Sequence, residues 1–310
     1  MHFPPVRKHD VKGAIMALVP YDDRDGWIWM DGEFVPWREC KVHVLTHSLH
    51  YGSAVFEGER AYGGEIFKSR EHSERLRKSA ELLDYELPVS VDEIEAAKAA
   101  TMAKMGFEDC YVRPLAWRGS EMMGVSAQSN TIHVAIACWA WGDYFDDKMK
   151  GIRVTHAKWR RPDPATAPCA SKAAGLYMIC TMSKHAAENA GYADALMLDW
   201  RGQVAEMTGA NVFFIRDGAI HTPTPDCFLN GITRRTVMGL AKDRGFEVIE
   251  RAIFPEELNT FSECFITGTA AEVTPVAEIG DVTYKPGEIT ETLMGDFANL
   301  VRGKLTVAAE

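Results

Sequence analysis

The chain has no apolar run approaching the ~18 residues that a membrane-crossing helix needs. Its longest N-terminal apolar stretch, Ala14–Pro20, is short and runs into Tyr21-Asp22-Asp23-Arg24-Asp25, so it does not read as a signal sequence. An excess of cations is also missing. The 34 Lys and Arg stand against 44 Asp and Glu, a net charge of −10. This disfavours a broad nucleic-acid or anionic-membrane surface, and any anionic ligand must be met by local positive groups. Paired cysteine motifs are absent too. The seven cysteines (Cys40, Cys110, Cys138, Cys169, Cys180, Cys227 and Cys264) form no CxxC and no regular framework. That usage reads as a reduced, cytoplasmic protein and not as a secreted disulfide scaffold. There is no HExxH, no P-loop, no GxGxxG, no repeat at a fixed period and no low-complexity segment.

What is present is ordinary globular material. The 310 residues, 46% hydrophobic and 25% charged, suffice for about two domains at ~150 residues each. Residues 1–25 read as an extension and 26–144 as a small domain. Trp141–Lys148 interrupts the apolar pattern, so a linker is set at 145–151, followed by a larger domain over 152–310. Trp27–Met30 and Glu33–Val35 flank Asp31-Gly32 as a β-hairpin, and Lys41–Leu45 alternates like another strand. Helices are expected at Glu71–Leu83, at Asp92–Met105 with Asp92 as cap, at Gly175–Asn189 before Gly191, and at Thr233–Arg244. Strands are expected at Cys110–Trp117, Thr131–Trp139, Ile152–His156 and Glu263–Thr267. This mixed order, without a regular βαβ rhythm, indicates an α+β fold.

Several residues are candidates for chemistry. Lys172 sits among small uncharged neighbours in Pro168-Cys169-Ala170-Ser171-Lys172-Ala173-Ala174-Gly175. A lysine so placed can have a lowered pKa and act as a Schiff-base nucleophile or base, although a solvated loop lysine has the same local sequence. Glu206 precedes a glycine turn and an apolar strand. Turned inward it needs a cationic partner such as a protonated ring nitrogen, and turned outward it is a solvated turn residue. Gly231-Ile232-Thr233 opens a helix whose free N–H groups suit an anion, and Thr267-Gly268-Thr269-Ala270-Ala271 offers hydroxyls and backbone after a strand. Either segment also reads as a plain cap or turn. His43, His47 and His50 lie close in sequence, but there is no HExxH and the residues around His43 read as a strand, so His43 and His47 need not share a helix face and no metal is assigned. A lysine for an imine, a carboxylate for a ring nitrogen and backbone for a phosphate together describe a pyridoxal 5'-phosphate site.

The chain also resembles the branched-chain amino acid aminotransferases of pyridoxal-phosphate fold type IV. The resemblance rests on Lys41–Gly52, Val55-Phe56-Glu57-Gly58, Tyr111-Val112-Arg113-Pro114, Glu206–Phe213, Gly231–Arg234 and Thr267–Glu272, and covers most of the chain from Trp27. It implies a small N-terminal α/β sandwich, a larger C-terminal pseudo-barrel domain, and a homodimer or higher homo-oligomer whose site is completed across subunits. By the same match, Lys172 is the Schiff-base lysine, Glu206 the partner of the pyridine nitrogen and Tyr177 that of the phenolate oxygen. Arg70, Ile232, Thr233 and Thr269 match phosphate-binding positions. Thr269 and Ala270, helped by Tyr111, would receive the α-carboxylate. Phe56, Trp141 and Tyr144 would wall an apolar side-chain pocket, Tyr51 and Val125 would reach it across the dimer, and Arg113 would greet the distal carboxylate of glutamate. The implied reaction moves nitrogen between leucine, isoleucine or valine and 2-oxoglutarate in ping-pong half-reactions. D-amino acid and (R)-amine transaminases and aminodeoxychorismate lyase share the fold and stay open, and a metal-dependent hydrolase or a silent binding protein is the reading from outside it. Glu59 stands where the resemblance puts an apolar residue. It would either bring charge near the pocket or pair with Arg60.

Overall fold

The structure is a computed structural model, and it describes residues 19–141 and 148–305. Tyr144 and residues 145–147 of the expected linker therefore lie outside the described residues. Two sheets organise the chain. The first is built from β1 (Trp27–Met30), β2 (Glu33–Pro36), β3 (Val55–Phe56), β4 (Glu59–Tyr62), β5 (Glu65–Ile66), β6 (Cys110–Arg118) and β7 (Ile132–Ala140). It runs β2-β1-β7-β6-β4-β5, with β3 also on β6, and every pairing is antiparallel. Three helices accompany it: α1 (His47–Tyr51), α2 (Ser69–Glu81) and α3 (Val91–Met105). Leu76 and Ala80 of α2 and Ile94 and Ala97 of α3 pack on Val112, Val134 and Ile136, so one helix stripe meets one sheet face.

The second sheet has β8 (Ile152–His156), β9 (Asp194–Leu198), β10 (Val204–Met207), β11 (Asn211–Arg216), β12 (Ala219–Thr222), β13 (Val248–Glu250), β14 (Glu263–Gly268), β15 (Glu272–Ile279) and β16 (Val282–Thr283). Its order is β10-β9-β8-β15-β14-β11-β12-β13, with β16 on β15. The main-chain N–H of Met207 donates to Ala210 at 2.8 Å, which curls the β10 edge back toward β11. With α4 (Met178–Asn189), α5 (Ile232–Asp243) and α6 (Glu288–Leu300), the architecture is α+β, as the mixed order of elements indicates. No helix among the described residues is long and apolar enough to cross a membrane.

Four local expectations need correction. Lys41–Leu45 is a turn, not a strand: Val42 and Val44 are exposed and no strand pairs with them. The cap of α3 is Ser90, whose hydroxyl accepts from the Glu93 N–H while Glu93 reaches back to the Ser90 N–H, a complete capping box that leaves Asp92 inside the first turn. The helix expected from Gly175 begins as a 3-10 turn, Ala174–Tyr177, before α4. There Gly175 donates its N–H to Gly52 O at 3.1 Å, and a Cβ on it would lie 3.0 Å from that oxygen, so contact with the C-terminal end of α1 sets the backbone.

The fourth concerns Glu59. Side chains alternate along a strand, and Glu59 points into the helix layer instead of toward Arg60, which pairs with Glu272. Glu59 is fully buried and accepts from the equally buried Lys98 at 2.8 Å, and Lys98 also meets Glu95 and the Ser69 carbonyl. Burial pushes the Glu59 carboxyl up to about 8, against the pull of Lys98. Breaking such a pair costs more than replacing it. Lys98→Met should therefore lower unfolding stability by about 3–5 kcal/mol. Glu59→Ile with Lys98→Met should restore it to wild type or better in chemical denaturation. A double variant as weak as the single would show that the pair is itself a net source of stability.

Candidate active site

Lys172 is located by backbone bonds to the first sheet before its side chain is considered. Phe56 N–H donates to Lys172 O at 3.2 Å, Ala174 N–H to Ala54 O at 2.8 Å, and Val55 bridges Ala173. From α2, Ser79 Oγ accepts the Lys172 N–H at 3.0 Å, and Ser171 Oγ donates to Ser79 O at 2.9 Å. The Lys172 ammonium then donates to Tyr177 Oη at 2.7 Å and lies 4.9 Å from the centre of the Phe56 ring. Burial pushes the amine down to about 8, helped by the nearby Arg75 guanidinium and opposed by Glu57. An amine so depressed is neutral more often than a surface lysine, which suits attack on an aldehyde.

Glu206 faces Lys172 across one cavity. The pairing of β10 with β9 shifts register between Val204 and Glu206, and this bulge re-aims the carboxylate. Arg161 Nε lies 3.4 Å from it, and Asn211 Nδ2 donates to it at 3.3 Å. Burial pushes Glu206 up to about 7, against Arg161 and Lys172. The carboxylate is thus expensive to ionise alone and ready for a further positive partner.

The third part is an anion cradle. Gly231, Ile232 and Thr233 at the start of α5 line the cavity, as do Thr267, Gly268 and Thr269 after β14. Helix α5 has no side-chain cap, so its first N–H groups face the cavity unspent. A Cβ at Gly231 would sit 2.3 Å from Asn211 Oδ1, so any larger residue there would displace the Asn211 side chain that meets Glu206. Thr267 Oγ1 is buried without a hydrogen-bond partner.

Arg70 is not part of this cavity. Its side chain is 61% exposed and pairs with Asp92 at 2.8 Å and Glu74 at 3.4 Å. Arg75 and Arg161 line the cavity, and the one contributed by α2 is Arg75. Its guanidinium grips Glu57 in two 2.7 Å bonds, and His72 Nδ1 lies 2.7 Å from the same carboxylate. Burial alone would raise Glu57, but Arg75 and His72 outweigh it and hold the carboxyl well below its usual range. Arg161 and Asn211, which also line the cavity, were not singled out in the sequence, whereas Thr267 lies in the segment read there as an anion holder.

Aromatic groups stand beside the lysine. Phe56 meets Tyr177 edge-on at 4.9 Å, Arg113 Cζ lies 4.8 Å from the Phe56 ring centre, and Arg113 Nη2 donates to Tyr111 Oη at 3.2 Å. Tyr111 packs between Trp139 at 5.0 Å and Trp141 at 4.8 Å. Trp139 was not anticipated. Gly58 is needed here, because a Cβ would lie 2.0 Å from Tyr111 Oη. Ala270 lies on an adjoining cavity that shares Tyr177. Tyr51 and Val125 are away from both cavities, on an exposed face where Tyr51 Oη donates to Met123 O at 3.2 Å.

His43, His47 and His50 each meet backbone. His43 Nδ1 accepts from the Leu45 N–H, His47 Nε2 lies 3.0 Å from Gly124 O, and His50 Nε2 lies 2.9 Å from Val44 O. In a group of metal-ligating types elsewhere, Asp199, Asp226 and Cys227, the two carboxylates are bridged by Arg201, which meets each at 2.7 Å.

This constellation has known counterparts. The family model for amino-transferase class IV matches residues 54–279, and the chain belongs to that family. A branched-chain-amino-acid aminotransferase of Pseudomonas aeruginosa is 41% identical over 297 residues, covering 93% of this chain and 97% of that one. The branched-chain aminotransferase of Thermoproteus uzoniensis, solved with norvaline, superimposes with a TM-score of 0.87 at 36% identity, over 91% of this chain and 96% of that one. A further branched-chain amino acid aminotransferase, from the source abbreviated T.th. and complexed with N-(5'-phosphopyridoxyl)-L-glutamate, has the same TM-score at 39% identity, again over 91% of this chain and 96% of that one.

Proposed function

We propose that this class IV aminotransferase uses pyridoxal 5'-phosphate to move the amino group between branched-chain L-amino acids and 2-oxoglutarate. The observation that carries this is the convergence on one cavity of Lys172, Glu206 and the open start of α5. These residues fit the cofactor: an amine for its aldehyde, a carboxylate for its ring nitrogen, and N–H groups, Thr267 and Arg75 for its phosphate. When bound, the cofactor supplies a carbonyl that links to amines and a ring that accepts electrons. Lys172 holds and moves the proton at the substrate Cα. Tyr177 steadies the lysine amine by their hydrogen bond. Thr269 and Ala270 take the α-carboxylate.

Substrate choice follows from the aromatic wall. Phe56, Tyr111 and Trp141 offer an apolar surface for leucine, isoleucine or valine. Arg113 stands at that wall for the second carboxylate of glutamate and 2-oxoglutarate. Arg113→Ala should lower kcat/KM for 2-oxoglutarate about 10- to 100-fold, the value of a charge-assisted hydrogen bond. L-leucine should lose far less. Equal losses would mark Arg113 as a brace for Tyr111 and Phe56 alone.

A second copy of the chain is the proposed partner. Val42, Val44, Leu45 and Leu49 are exposed on the face that carries Tyr51 and Val125, the latter 86% exposed, and so large an apolar patch suits an interface. Dimerisation would deliver Tyr51 and Val125 to the partner's site. A cytoplasmic setting without nucleic acid is supported by seven free cysteines and the net charge of −10.

The test is the visible spectrum of the purified protein. A yellow band that bleaches with L-leucine and returns with 2-oxoglutarate establishes both half-reactions. Bleaching by D-alanine or (R)-1-phenylethylamine, but not by L-leucine, would overturn the substrate assignment. No band after adding the cofactor would overturn the cofactor's role.

A further inference from the structure

Glu272 closes the turn Thr269-Ala270-Ala271. Its backbone pairs with Gly268 across the turn and adopts φ +53°. A left-handed residue at the end of a three-residue hairpin loop is ordinarily glycine, because a Cβ crowds the following carbonyl. Glutamate in that conformation persists only where its surroundings hold it.

The side chain shows what holds it. Glu272 is buried, and its Oε1 accepts from Arg60 Nη1 at 2.8 Å and from Tyr62 Oη at 3.0 Å. Both donors lie on β4 of the other sheet, two residues apart and so on one face. Arg60 Cζ also lies 4.7 Å from the centre of the Tyr62 ring, so the two donors brace each other. The same strand is in register with Tyr111, opposite Arg60, and follows Gly58, whose missing side chain admits the Tyr111 hydroxyl. Among the described residues, no protein acceptor takes the N–H of Thr269 or Ala270. One strand of the first sheet therefore governs both a strained turn with free donors and the tyrosine beside it.

We propose that Glu272 is a positioning residue for substrate. Through Arg60 and Tyr62 it locks the Thr269–Ala271 turn in the conformation whose N–H groups receive the α-carboxylate. This rests on the reading of that turn as the carboxylate acceptor. Glu272 touches no substrate itself, and its contribution is the fixed backbone.

The experiment compares two probes on the holoenzyme by cofactor absorbance. One is 4-methylvalerate, and the other is 4-methylpentan-1-ol, which has the same apolar chain without the carboxylate. The wild type should bind the carboxylate more tightly. In Glu272→Gly, whose backbone is free at that φ, and in Arg60→Met, the carboxylate-over-alcohol preference should fall by about tenfold or more, the value of one charge-assisted hydrogen bond. Glu272→Gln keeps an acceptor and should retain an intermediate preference. Tyr62→Phe deletes a single hydroxyl and serves as the test if the other variants unfold. A wild type without carboxylate preference would overturn the reading of the turn, and with it this proposal. A wild-type preference that survives unchanged in the variants would overturn the role of Glu272 alone. Equal weakening of both probes would also overturn it, because a general structural role predicts that loss.

Discussion

Replacing Lys172 by alanine should abolish transamination while leaving the fold intact, with a loss in kcat of at least about 10⁴-fold, the upper range for a positioned proton-transfer group. The fold should survive because Lys172 is held by its backbone: the bonds from Phe56 and Ser79 involve its O and N–H, which alanine keeps. Removing the amine also removes a buried cation whose charge the site disfavours. The amine is the part that chemistry needs, set 2.7 Å from Tyr177 Oη. Its pH dependence has a definite sign. An ammonium cannot attack a carbonyl, so capture of added cofactor should quicken as pH rises and level off above about 8, where burial and Arg75 have moved this group. An ordinary lysine would keep accelerating to about 10.4. Stopped-flow absorbance of cofactor binding against pH separates the two. Substantial turnover in Lys172→Ala would sink the assignment.

How much of this site could be read in advance depends on how local each signal is. Lys172, Glu206 and the Gly231–Thr233 cradle were legible because each lies in a short segment whose neighbours explain it. Whether Arg70 or Arg75 reaches the cavity depends on the face of α2. Arg70 shares its side with Glu74, Arg77 and Glu81, whereas Arg75 lies one turn from His72 and Ser79, both buried. The buried positions of α2 therefore carried the answer. Lys41–Leu45 misled in another way. Alternation marks a half-buried strand only where a neighbouring strand exists, and Val42 and Val44 face outward beside α1. The face that Glu59 takes follows from the pairing of β4 with β6, where Glu59 lies opposite Val112. The Glu272–Arg60 pair spans 212 positions, and nothing near either residue announces the other. Long-range partners of buried charges were the systematic gap, because the sequence shows a charge but not the cavity that encloses it.

Glu206→Gln tests the remaining large effect, and it separates charge from shape. The amide fills the same volume and can still meet Asn211, which lies 3.3 Å away. It cannot balance Arg161, which is 3.4 Å away and itself buried. It also cannot keep a ring nitrogen protonated. In the protein alone, burial pushes Glu206 up to about 7, so near neutral pH the carboxylate is poised between its two forms. With the proposed cofactor bound, a protonated ring nitrogen would add a second positive partner beside Arg161 and would favour the ionised form of Glu206, the form that would steady charge on the ring. Because that steadying matters most in the transition state, the loss should appear in kcat. We expect a fall of about 10²–10³-fold with L-leucine, the range for removing one preorganised electrostatic contact. The KM should change far less. The carboxylate-bearing Glu206→Asp should recover part of the rate and Glu206→Ala none. Stability should fall modestly in both neutral variants, since Arg161 is left without its anion. An unchanged kcat in Glu206→Gln would show that the buried carboxylate serves Arg161 alone.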